Sequence, residues 1–364
     1  MRVTVIGSGS WGSAFARLLA RRDHDVQVLT LTAAEADDLN ATHVNEAFLP
    51  GVVLPETVRF AGIDDADLDG AELVAYVVPT QAIREVARWV APRRPPGALQ
   101  LSLAKGLELG TLKRPTEVIA QETGAPAAAL SGPNHAEEVG RDMPAATVIG
   151  CSNGPLAKKL QQAVNCDTLR VYTNADVTGV EFCGAAKNPV AIAVGIADGL
   201  GFGDNTRATL MTRSLAEIAR LGMRLGADFA TFAGLAGIGD LIATCTSQHS
   251  RNRRAGELIA RGEDPATVEN VIGQVVEGIP TSHALHDLST KLGVDMPVTG
   301  QVYRVLQHEA SPSECVRSLM TRELTSEDAS QDILTLIAQI KLTASKTARR
   351  TKQTASKTAR RLLP

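Results

Sequence analysis

Short apolar runs alternate with helix-period stretches through the first half of the chain. Residues 3–6, 26–29, 73–78, 99–103 and 145–149 read as buried strands. Between them, 12–20, 32–40, 81–90 and 114–122 repeat their apolar positions at helical spacing. This rhythm predicts a mainly parallel, doubly wound sheet with helices on both faces. After about Val180 the strand patterns stop. Long helical patterns follow, interrupted by glycine clusters at 195–203, 234–239 and 277–280. The expected fold class is therefore α/β: a doubly wound domain over 1–179, then an all-α domain over 180–328.

The net charge of −3 hides an asymmetry. From Lys341 onward there are eight basic residues and no acid, so the remaining 340 residues carry 29 basic and 40 acidic groups, a net −11. That tail contains "TASKTARR" at 343–350 and again at 354–361, with almost nothing apolar to bury. Residues 329–364 are expected to be a helix remnant followed by a disordered, solvated tail. Nucleic acid or anionic lipid would be a partner only through this tail. Five widely spaced cysteines without a C-x-x-C suggest neither a disulfide framework nor zinc. His43, His135 and His249 are scattered, and no metal is expected. No long apolar run and no leader pattern stand out, which points to the cytoplasm.

The first strand runs into "GSGSWG", a G-x-G-x-x-G turn that opens a helix. Gly7 allows the tight turn, Gly9 lets the backbone approach a pyrophosphate, and Gly12 lets the helix pack on the strand. The free N–H groups of the helix start then face the phosphates. The first domain is thus expected to be of the Rossmann type and to bind NAD(P)(H). The second strand ends in "VLTLTAAEADD". Glu35 falls one helical turn late for the ribose-binding acid, leaving Thr30 or Thr32 as ribose partners.

Four further segments carry chemistry. "LSLAKGLE" puts Lys105 at the ligand-facing end of a strand. "LSGPNHAEEVG" reads as a helix start, with Asn134 as cap and Glu137 at the third position. "VEFCGAAKNPVAIAVGIADGLG" surrounds Lys187 with small residues, as in a buried helix, where a desolvated ammonium has a lowered pKa and serves as acid or base. "GLAGIGDLIATCTSQHSRNRRAGE" joins Asp240 to a hydroxyl, a guanidinium and an amide (Ser250, Arg251, Asn252) at a helix start, a set suited to phosphate. Asp240 can hold a substrate hydroxyl or orient Lys187, whereas Arg253 and Arg254 read as an exposed basic face.

With "NATHVNEAFLPG", "VVEGIPT" and "MTREL", these segments in order from Met1 to about Glu323 resemble the bacterial-type NAD(P)-dependent glycerol-3-phosphate dehydrogenases. The resemblance implies that Lys187 is the general acid/base. It implies substrate contacts from Lys105, Gly132, Asn134, Lys187, Asp240, Ser250, Arg251 and Asn252. Cofactor contacts would come from Gly7, Gly9, Ser10, Trp11, Gly12, Phe48, Lys105, Ala136, Arg251, Val275 and Glu277. Leu31 stands where that family has an arginine for the adenosine phosphate, and Asn134 stands for a serine or threonine.

The implied reaction interconverts sn-glycerol 3-phosphate and dihydroxyacetone phosphate by hydride transfer, feeding phospholipid synthesis. The substrate is a small phosphorylated molecule and the expected assembly a homodimer. Two other readings compete: a dehydrogenase of a 3-hydroxy acid or ketopantoate, and a dinucleotide sensor whose tail binds nucleic acid.

Overall fold

The computed structural model describes residues 1–323. The basic repeat and the rest of 329–364 lie outside them. An eight-stranded sheet occupies the first half: β1 (Arg2–Ile6), β2 (Asp25–Thr30), β3 (Arg59–Gly62), β4 (Leu73–Tyr76), β5 (Leu99–Ser102), β6 (Ala128–Ser131), β7 (Ala145–Gly150) and β8 (Leu169–Asn174). Their order is β3-β2-β1-β4-β5-β6-β7-β8. Every pair is parallel except β6 with β7. The order reverses between β1 and β4, which is where doubly wound sheets open a crevice for ligands.

Helices α1 (Ser10–Ala20), α2 (Ala33–Thr42), α3 (Ile83–Val90), α4 (Pro115–Thr123), α5 (Ala136–Val139) and α6 (Gly154–Val164) connect or flank these strands. One apolar core gathers Phe15, Leu19, Val28, Leu101 and Leu160, and a second gathers Tyr76, Ile83, Val90 and Ile119. The sheet is thus covered on both faces, which a parallel sheet requires.

Sequence patterning missed three strands. β3 is only four residues long, β6 ("AALS") is built of small residues with weak strand propensity, and β8 alternates buried Leu169 and Val171 with exposed Arg170 and Tyr172 at the sheet edge.

The rest of the described chain is helical: α7 (Val177–Gly199), α8 (Asp204–Arg224), α9 (Phe229–Phe232), α10 (Asp240–Thr246), α11 (Arg251–Ala260), α12 (Val268–Ile272), α13 (Gly278–Leu292), α14 (Pro297–Leu306) and α15 (Pro312–Met320). By length and composition alone, Val177–Gly199 and Phe229–Thr246 are apolar enough to cross a membrane. The first, however, is wholly buried in the protein, and the second is broken by a π turn at Leu235–Gly239.

Antiparallel pairing of β6 with β7 decides where α7 starts. β7 and β8 run away from the ligand edge, so α7 begins at the opposite edge, where Gly150 faces Val180. It climbs back along the sheet, so that Gly184 abuts Ser131 and Lys105. The ten-residue rise from Val177 to Lys187 is about 15 Å, roughly the length of a strand. Every residue from Gly179 to Ala197 is buried. Glycines let α11 cross α7 at backbone contact: a Cβ on Gly195 would lie 1.9 Å from Arg253 O, and one on Gly256 2.1 Å from Ile192 O.

Candidate active site

Burial makes Lys187 the centre of the site. Its side chain is 7 % exposed, and its Nζ donates to Asp240 Oδ1 at 2.6 Å and to Thr244 Oγ1 at 2.5 Å. An ammonium has three N–H groups, so one is left over after these two. Desolvation pulls Lys187 down to about 8; the Asp240 carboxylate opposes that pull and the Lys105 ammonium adds to it. Asp240 is itself 2 % exposed. Burial alone would raise its carboxyl, but Lys105 and Lys187 together hold it below the usual range.

Lys105 completes the pair. Its Nζ donates to Asp240 Oδ2 at 2.8 Å, Gly132 O at 2.9 Å and Asn134 Oδ1 at 2.9 Å, using all three N–H groups. Gly132 has φ +143°, and a Cβ there would meet Thr147 Cα at 3.0 Å, so only glycine presents this carbonyl without strain. Asn134 does not cap α5; His135 occupies that position without a side-chain bond. The Asn134 amide is drawn instead between Lys105 and the buried Thr147 hydroxyl, 3.0 Å from its Nδ2.

The phosphate-suited segment joins this network through amides. Asn188 Nδ2 donates to Lys105 O at 2.8 Å, Asn252 Nδ2 to Asn188 Oδ1 at 3.0 Å, and Gly278 N to Asn252 Oδ1 at 2.8 Å. Ser250 caps α11, accepting from Arg253 N. Arg251 is exposed and donates to Val275 O at 3.2 Å. Arg253 is not part of an exposed face, because Asp198 Oδ2, 2.8 Å away, and Glu257 draw it inward; Arg254 remains exposed.

The glycine turn lies at the crevice. A Cβ on Gly7 would meet Val77 O at 2.8 Å and one on Gly12 would meet Gly7 O at 1.9 Å, whereas at Gly9 it would meet nothing within 4 Å. Ser10 Oγ donates to Phe48 O at 2.6 Å, and Trp11 packs with Leu49, Val52 and Ala136. Asn45 braces the turn from below, donating to Ser8 O and Ser13 Oγ. Across the crevice Glu277 Oε1 accepts Thr80 N at 2.8 Å. Burial pushes its carboxyl upward.

A family model described as the N-terminus of NAD-dependent glycerol-3-phosphate dehydrogenase matches residues 2–157, and one described as its C-terminus matches 176–317. The chain belongs to the NAD-dependent glycerol-3-phosphate dehydrogenase family. It is 48 % identical over 330 residues to glycerol-3-phosphate dehydrogenase [NAD(P)+] of Pelotomaculum thermopropionicum, covering 90 % of this chain and 95 % of that one. Identity to the same-named protein of Moorella thermoacetica is 47 %, covering 91 % and 98 %. The crystal structure of glycerol-3-phosphate dehydrogenase from Coxiella burnetii aligns with a TM-score of 0.85 at 38 % identity, covering 88 % and 99 %.

The residues present fit the dinucleotide of this dehydrogenase family. The open face at Gly9 lets a pyrophosphate reach the backbone, and α1 starts with no side-chain cap and no acid in its first turn. Among the described residues the buried Trp11 Nε1 has no hydrogen-bond partner.

Sequence reasoning missed Thr244, Asn188 and Thr80, although Thr244, four residues after Asp240, shares its helix face. It misjudged the end of β2. Thr30 turns its hydroxyl inward to Thr32 O and Ala61 O, Thr32 caps α2, and Glu35 folds back to accept the Ser8 hydroxyl. His135 and His249, expected apart, lie with ring centroids 6.4 Å apart. Among the described residues no group of three or more His, Cys, Asp or Glu is placed to hold a metal.

Proposed function

We propose that the chain interconverts sn-glycerol 3-phosphate and dihydroxyacetone phosphate with NAD(P)(H), supplying glycerol 3-phosphate for phospholipid synthesis. The observation that carries this reading is the buried Lys187 ammonium, fixed by Asp240 and Thr244 with one N–H to spare. In oxidation, neutral Lys187 takes the proton from the C2 hydroxyl. In reduction, its ammonium donates to the C2 carbonyl and gives up a proton as the alkoxide forms, combining electrostatic stabilisation with acid catalysis. When bound, the nicotinamide supplies the hydride chemistry at C2. Asp240 keeps Nζ in place, and Lys105, Gly132 and Asn134 keep Asp240 in place. Arg251, with Ser250 and Asn252 at the start of α11, anchors the phosphate and thereby orients the carbon.

Gly7, Gly9, Ser10, Trp11, Gly12, Phe48, Lys105, Ala136, Arg251, Val275 and Glu277 would hold the dinucleotide. We read 1–179 as the dinucleotide domain and 180–328 as the catalytic one. The protein works in the cytoplasm as a homodimer. The test is oxidation of NADH and NADPH by purified protein with dihydroxyacetone phosphate or ketopantoate, with inorganic phosphate and acetate as inhibitors. Turnover with the phosphorylated ketone, and inhibition by phosphate in preference to acetate, is the expected result. Turnover with ketopantoate alone would overturn it.

A further inference from the structure

The end of the crevice beyond the glycine turn carries a carboxylate, and the segment that builds it is poor in cations. Thr32 caps α2 by accepting Glu35 N at 3.2 Å, and the Glu35 side chain then turns back toward the glycine turn. There its Oε1 accepts the hydroxyl of Ser8, the residue between Gly7 and Gly9. The carboxylate therefore sits between the ends of β1 and β2, the corner that receives the adenosine ribose in doubly wound folds. Glu35 is half-buried, and among the described residues it forms no ion pair.

The sequence that builds this corner is rich in acids. From Asp25 to Ile83 the sequence contains a single lysine or arginine, Arg59. Its guanidinium is paired with Asp25 at 2.5 Å, and Arg59 lies in register with Gln27. That register is three residues short of Thr30 and Gly62, about 10 Å from the ligand-side edge. Asp37 and Asp38 follow Glu35 on α2, and Asp64 and Asp65 follow β3. The end of β3 reaches α2 closely, because a Cβ on Gly62 would lie 2.9 Å from Ala33 N. Leu31, 81 % exposed, offers the corner an apolar side chain.

A ribose with free hydroxyls and a ribose 2′-phosphate meet this corner differently. The hydroxyls can donate to Glu35. The phosphate dianion would face a carboxylate of like charge, and the one guanidinium of segment 25–83, Arg59, is held by Asp25 near the far edge. We infer that Glu35 makes the site select NAD(H) over NADP(H), accepting from the adenosine ribose while Ser8 fixes its orientation. This rests on the dinucleotide reading above.

Calorimetric titration of the full chain with NADH and NADPH, without substrate, tests the inference by binding alone. NADH should bind at least about tenfold more tightly. Glu35→Gln keeps an acceptor for Ser8 but removes the charge; it should gain NADPH affinity and bring the ratio toward one. Leu31→Arg should raise NADPH affinity specifically and make it fall with added salt. Equal affinities in the unaltered protein, or a ratio unmoved by Glu35→Gln, would overturn the inference and leave the dinucleotide site standing. A merely structural Glu35 would weaken both ligands equally. Failure of both dinucleotides to bind would overturn the functional reading as well.

Discussion

Asp240 holds both lysines of the site at once, its Oδ1 2.6 Å from Lys187 Nζ and its Oδ2 2.8 Å from Lys105 Nζ. Replacing it with asparagine leaves the buried Lys187 ammonium and the half-buried Lys105 ammonium without their shared counter-charge. Stability should fall by about 3–5 kcal/mol, read from urea unfolding. In the fraction that folds, Lys187 loses the one strong influence raising its pKa. The alkaline limit of ketone reduction should therefore move below its normal position, and an unmoved limit would show that Asp240 does not tune the amine.

Lys187→Met removes the proton carrier and keeps much of the side-chain volume. Turnover in both directions should drop about 10²- to 10⁴-fold. Dinucleotide affinity should stay close to that of the unaltered enzyme, since Lys187 makes no contact with the glycine turn. Retained turnover would remove Lys187 from the chemistry.

The pH dependence follows from a lysine near 8. Reduction needs the ammonium, so kcat/KM for the ketone should be flat at lower pH and decline as pH rises through about 8. Oxidation needs the neutral amine, so its kcat/KM should climb over the same interval and level off above it. Opposite slopes with a shared midpoint are the signature to look for in steady-state rates from roughly pH 6 to 10.

The crossing of α7 and α11 predicts a stability effect away from the chemistry. Gly195→Ala and Gly256→Ala each drive a methyl group into backbone of the facing helix. Each should cost at least about 1–3 kcal/mol, visible as a lower urea midpoint. Gly154→Ala, on α6, meets nothing within 4 Å and serves as the control. It should be neutral or stabilising by about 0.4–1 kcal/mol.

What could be read beforehand was whatever local pattern determines. The glycine turn, the parallel strands 3–6 and 26–29, and the buried small-residue helix around Lys187 announce themselves through spacing and side-chain size. Long-range pairing does not. Asn134 and Glu137 match a helix-start pattern, yet the half-buried Lys105 ammonium outcompetes the cap and takes the Asn134 oxygen. Glu35 looks misplaced when counted along the chain, because position in sequence does not report that its side chain doubles back to Ser8. The Asn188–Asn252–Gly278 amide relay joins three helices separated by long stretches of sequence, and nothing in any one of them signals the others.

Reversal of direction at β6 and β7 turns α7 into a measuring rod between the two edges of the sheet. Its reach is set by residue count, since each residue advances the axis by about 1.5 Å and swings the side chain through about 100°. One residue inserted in α7 before Lys187 would point the amine away from Asp240 and would carry Asn188 away from Lys105 O and Asn252 with it. Within this architecture, length variation in α7 between Val177 and Lys187 is forbidden by geometry.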